Sequence, residues 1–113
     1  MHEISICENI LETLEEQAKA QAFSQVEVVR LEIGPLAGVE LEALRFGFDV
    51  VMEGTLADGS TLEIIETKAE ALCEQCAVTV TINQRYDGCP NCNHYPLKIT
   101  SGDEMRIKDL EVV

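Results

Sequence analysis

Four cysteines constrain this 113-residue chain more than anything else in it: Cys73-Glu74-Gln75-Cys76 and Cys89-Pro90-Asn91-Cys92, two Cys-x-x-Cys pairs with twelve residues between them. A two-residue gap on a tight turn lets both thiolates of a pair reach one ion at about 2.3 Å, and a second such turn completes a tetrahedron. Two structural disulfides would require an oxidising compartment, and the opening Met1-His2-Glu3-Ile4 carries no basic segment followed by an apolar one, so secretion has no support. A thioredoxin-like motif uses one pair beside a βαβ unit, not two matched pairs in a short excursion. Zinc is the expected ion, with iron in a rubredoxin-like site as its rival, because a tetrahedral set of four sulfurs suits both metals. Four thiolates close the coordination sphere and leave no position for water, so the expected role is structural.

A chain of this length holds one modest core, and the cysteine segment buries little apolar surface without its metal. Aromatics are scarce and Trp is absent, so Ile, Leu, Val and Ala must build that core, with Phe23, Phe46 and Phe48 expected as its largest pieces. No apolar run reaches the length of a membrane span. The net charge of −13, from 21 acidic against 8 basic residues, excludes a clustered phosphate-neutralising surface, so no nucleic acid partner is expected. Strong acidity serves solubility, and also steers toward basic partners or cations.

Along the chain, Ser5-Ile6-Cys7-Glu8 fits a capping box, which predicts a helix from Ser5 to about Ala22 with Ile4, Cys7, Leu11, Leu14 and Ala18 as its apolar stripe. Residues 26–33 alternate as a strand, Val29, Leu31 and Ile33 facing one way and Arg30 and Glu32 the other. A second helix is predicted from about Val39 to Met52, with Leu41, Leu44, Phe48 and Val51 on one face and Gly54 at its stop. Gly47 inside it marks a close packing contact. Strands are expected at 61–66, at 78–82 between the cysteine pairs, at 97–100, and at 105–112 with a bulge near Lys108-Asp109 where the apolar phase slips. Residues 68–72 are read only as the approach to the first cysteine turn. The last strand needs neighbours, and the earlier strands 26–33 and 61–66 supply them. The expected fold is α+β: a three-stranded mixed sheet packed by two helices, with an inserted zinc-ribbon-like module of four cysteines. In domains, residues 1-68 plus 102-113 form the α/β part and 69-101 the zinc-binding module.

A second chemical feature is quieter. His2 lies beside the terminal amine and the Glu3 carboxylate. Amine, ionised amide and imidazole from consecutive residues form fused chelate rings around a square-planar ion, the geometry Ni(II) and Cu(II) favour. The bland alternative is an ordinary exposed histidine at a frayed terminus. His94, two residues past Cys92, either replaces a thiolate or is simply exposed; Glu40 reads as a carboxylate complementing the second helix's dipole, and Cys7 as a buried, inert thiol.

Met1-His2-Glu3, the Leu31-Glu32-Ile33-Gly34 stretch, the Leu44-Arg45-Phe46 helix and the two Cys-x-x-Cys pairs before a short C-terminal strand together resemble the HypA/HybF hydrogenase-maturation nickel metallochaperones over essentially the whole chain. The resemblance implies a cytoplasmic protein that is not an enzyme, holding Ni(II) reversibly at His2 and Glu3 and structural zinc at Cys73, Cys76, Cys89 and Cys92. It implies delivery of nickel, with a partner GTPase, to the large subunit of a [NiFe]-hydrogenase, and in some members service to urease. Glu40 becomes a candidate nickel neighbour, while the displacement of His94 from its place in some relatives removes the basis for giving it a role in zinc ligand exchange. The competing function is a structural zinc-ribbon interaction module without metal delivery; a redox protein using the four-cysteine site ranks behind both.

Overall fold

The computed structural model describes residues 3–113. In chain order they form α1 (Glu3–Gln21), β1 (Val26–Ile33), α2 (Leu41–Met52), β2 (Thr61–Glu66), β3 (Ala69–Cys73), β4 (Val78–Ile82), β5 (Lys98–Ser101) and β6 (Met105–Val112). The strands make two three-stranded sheets, ordered β2-β1-β6 and β4-β3-β5. Hydrogen bonds just outside the strands fix the sense of the first sheet. Val26 N–H donates to Leu56 O where β1 begins and ahead of β2, and Thr67 N–H donates to Ile33 O where both end, so these two run parallel, joined by α2. Val113 N–H donates to Gln25 O and Gly34 N–H to Glu104 O, so β6 returns antiparallel. The sheet is mixed, as expected.

The chain divides into two compact units. The first comprises the chain up to Leu31, residues 39–64 and residues 107–113; the second comprises residues 32–38 and 65–106. In the first, α1 packs on α2. Ile6, Cys7, Ile10 and Leu14 are buried on α1, and Leu44, Gly47, Phe48 and Met52 on α2. Val29 and Leu31 of β1 are buried in the alternation the sequence predicts, and Val26, out of that phase, is buried as well. Each fully buried Leu, Ile or Phe contributes about 1.5–3 kcal/mol. Gly47 sits where the helices meet: a Cβ there would come within 3.0 Å of Ile4 Cδ1 and 3.5 Å of Cys7 Sγ, so the expected close contact exists. Gly54, at φ +77°, stops α2 where expected.

Three expectations need correction. Ser5 does not cap α1, because the helix already runs at Glu3 and Ser5 is an exposed residue within it; the buried stripe includes Ile6 and Ile10, while Ile4 is 43% exposed. α2 begins at Leu41, since Glu40 is its N-cap and its carboxylate accepts the Glu42 N–H at 2.9 Å. Phe46 is not a core residue. Leu44 and Phe48, four apart, turn inward together, and the residue midway between them is therefore carried to the other side, leaving Phe46 71% exposed.

In the second unit, β3 is the central strand, paired antiparallel with β4 from Ala69↔Ile82 to Cys73↔Val78 and with β5 through Ala71↔Ile99 and Leu72↔Lys98. Its inward residues Ala69, Ala71 and Cys73 are fully buried and join Leu36, Val80, Ile82 and Cys89 in a small core. Within this unit three segments cross in backbone contact. A Cβ on Gly34 would fall 2.1 Å from Gly102 O, and one on Gly102, whose φ is +102°, would fall 2.4 Å from Ala69 Cα.

Candidate metal centre

The two cysteine turns are built alike. The first is the turn of the β3–β4 hairpin: Cys73 ends β3, Ala77 N–H donates to Cys73 O at 2.7 Å, and Ala77 takes a positive φ of 59°. The second stands between β4 and β5: Asn93 N–H donates to Cys89 O at 2.8 Å, and Asn93 takes φ 62°. In each, the residue after the second cysteine adopts the left-handed conformation that curls the chain back and leaves both thiols facing the same side. Backbone N–H groups point at sulfur, Cys76 N–H at Cys73 Sγ and Asn91 N–H at Cys89 Sγ, each 3.4 Å away. A thiolate is the better acceptor of such bonds.

The four sulfurs lie within 4.8 Å of one another, and Cys73 Sγ and Cys92 Sγ are 3.6 Å apart. A tetrahedron with metal–sulfur bonds of about 2.3 Å has edges of about 3.8 Å, so these side chains fit one ion without rearrangement of the backbone. Cys73 and Cys89 are buried, Cys76 and Cys92 half-buried. Their acidities are pulled apart. Burial pushes the Cys89 thiol up, but N–H groups of Asn91 and Cys92 and the neighbouring thiols of Cys92 and Cys73 outweigh it and bring Cys89 down to about 7. Hydrogen bonding with Cys92, then burial and the other two thiols, hold Cys76 up at about 12. One thiolate forms readily and its neighbours donate to it; a cation is what makes four thiolates stable together.

His94 is half-buried and stands outside this sulfur group; its carbonyl accepts the Cys89 N–H at 2.9 Å and so helps close the second turn. Cys7 is fully buried, touches Leu44 O through its thiol at 3.6 Å, and is pushed up to about 11 by burial and by Glu3 and Glu8, which makes it a poor ligand and nucleophile. Glu3 opens α1, and its carboxylate accepts the Glu40 backbone N–H at 3.3 Å, tying the first turn of α1 to the N-cap of α2. His2 lies outside the described residues.

A small α+β chain carrying a closed cluster of four thiols defines a metal-binding protein. The family model described as hydrogenase/urease nickel incorporation, metallochaperone, HypA matches residues 1–112. The hydrogenase maturation factor HypA of Alkalilimnicola ehrlichii is 56% identical over 112 residues, 99% of each chain, and that of Azotobacter vinelandii is 53% identical over the same share. The solution structure of the Ni metallochaperone HypA from Helicobacter pylori superposes with a TM-score of 0.71 at 29% identity, covering 100% of this chain and 98% of that one. The chain belongs to the HypA family of hydrogenase-maturation, nickel-incorporating metallochaperones. Among the described residues no helix is long and apolar enough to cross a membrane.

Proposed function

We propose that this chain is a cytoplasmic nickel carrier, not an enzyme, that binds Ni(II) through His2 and Glu3 and, with a partner GTPase, passes it to the large subunit of a [NiFe]-hydrogenase. The observation that carries this reading is the tie between Glu3 and Glu40: the residue that follows His2 is anchored by its carboxylate to the start of α2, 3.3 Å from the Glu40 N–H. Nitrogen and oxygen donors at a chain end suit a cargo that must leave, since the ligands exchange with solvent and no cage has to be opened. Glu40, itself at that corner as the N-cap, is a further candidate oxygen donor.

The thiols divide the labour. Cys73, Cys76, Cys89 and Cys92 hold zinc, and residues 69-101 are its module, while residues 1-68 plus 102-113 make the nickel-binding domain. Zinc there supplies folding energy and no open coordination position, so it neither activates water nor travels.

Calorimetric titration of Ni(II) tests the reading. Replacing His2→Ala, or placing extra residues before Met1, abolishes nickel binding while zinc content stays at the level of the parent chain. Nickel affinity unchanged in either variant contradicts the assignment and favours a zinc-ribbon interaction module that transports nothing.

A further inference from the structure

The outer face of α2 carries an apolar strip whose largest side chains are exposed. Ala43, Phe46 and Val50 follow one another at spacings of three and four, so they share one side of the helix. Phe46 is 71% and Val50 51% exposed, and Ile4, which reaches across from α1 onto Gly47, is 43% exposed. Exposing a phenylalanine has a cost in water, and this chain has three phenylalanines and no tryptophan to use anywhere. Glu42, Asp49 and Glu53, all exposed, border the strip along its far side. Helical spacing sets these three close together around the axis, Asp49 about two turns after Glu42 and Glu53 about one turn after Asp49.

We propose that this face is a docking site for an amphipathic helix of a partner protein, one that presents an apolar stripe edged by Lys or Arg. An aromatic anchor at the centre with a charged rim is the pattern of residues that dominate interface energies. Charge selects the occupant. A second copy of this chain would set Glu42, Asp49 and Glu53 against an equally acidic margin, at a net charge of −13 on each copy, and an anionic bilayer would be repelled in the same way. A basic helix neutralises the rim while its apolar stripe covers Phe46 and Val50. The site stands whether or not His2 and Glu3 hold nickel, because it uses none of the metal donors.

The test is a titration of the isotope-labelled full chain, loaded with zinc, with designed helical peptides of about three heptads that share one Leu stripe. One peptide has Lys beside the stripe, one has Glu there, and one keeps Lys but has Ser in place of Leu. The Lys-edged Leu peptide shifts amide resonances across residues 43–53, and Phe46→Ala weakens it by about tenfold or more without changing the melting temperature. Asp49→Lys combined with Glu53→Lys weakens the Lys-edged peptide and admits the Glu-edged one. Equal binding of the Ser peptide, shifts confined to other elements, or concentration-dependent dimerisation of the free chain that Phe46→Ala abolishes would each overturn the proposal.

Discussion

Gly34 and Gly102 show how little room single residues leave in this fold. Both occupy the crossing of backbone segments within the second unit, with Leu36 N–H donating to Gly102 O at 2.8 Å beside the Gly34–Glu104 bond. Gly34→Ala drives a methyl group into a backbone carbonyl that has no rotamer to change. Gly102→Ala adds strain at φ +102° to a clash with Ala69. Each substitution is expected to destabilise the zinc-loaded chain by about 3 kcal/mol or more in denaturant unfolding; a loss within the scatter of surface substitutions would contradict the crossing. Arg30 lies on the exposed face of the first sheet. Its guanidinium pairs with Asp109 at 2.8 Å, with Glu63 at 3.1 Å and with Glu111, one cation holding carboxylates of β2 and β6 to β1. Hydrogen bonds to Asp109 and Glu111 raise the Arg30 pKa above its ordinary value, so it stays charged at any pH of interest. Arg30→Met leaves three carboxylates facing one another, and the resulting fall in melting temperature should shrink as salt is raised; a loss independent of salt would mean that packing of the stem, not charge, matters there.

At the scale of elements, the helices and the first sheet were legible because their apolar periods are long and clean: residues 26–33 and 61–66 are strands as read, and Leu44 and Phe48 face inward as their spacing requires. β3 was not legible. Ala69-Glu70-Ala71-Leu72 has poor strand propensity, and it is a strand because β4 and β5 flank it, with alanines where the crossing at Gly102 and the small core leave no volume for larger side chains. Phe46 was misjudged for the opposite reason: residue type argued for burial, while its position between Leu44 and Phe48 argued against it, and position won. The four cysteines were legible from spacing, since the paired turns need little beyond a two-residue gap and a following residue able to take a positive φ. The tie from Glu3 to Glu40 was not, because no local pattern connects residues 37 positions apart. Stripping zinc with a strong chelator, or Cys89→Ser, should remove hydrogen-exchange protection from β3, β4 and β5 while α1 and α2 keep theirs, as the core around Cys73 and Cys89 contains no residue of either helix. Equal loss in both sets would mean that the two units do not unfold separately.

For the molecule as a whole, charge and metal chemistry follow the same division. Of the 21 carboxylates, 14 fall in the first unit against four basic residues, and seven in the second against four. The acidic unit carries the nitrogen and oxygen donors proposed for nickel; the less charged one carries the thiols proposed for zinc. Soft thiolates and harder nitrogen and oxygen donors thereby sort two divalent ions within one small chain, one kept and one passed on. The most direct test is a count of zinc and nickel per chain in the parent protein with its native N-terminus, after exposure to both metals and dialysis against a weak chelator. About one zinc per chain should be retained, with nickel bound before dialysis but lost during it and His2→Ala removing the nickel alone. Nickel that stays through dialysis and disappears only with Cys89→Ser would place it in the thiol cluster and rule out a carrier site at His2 and Glu3.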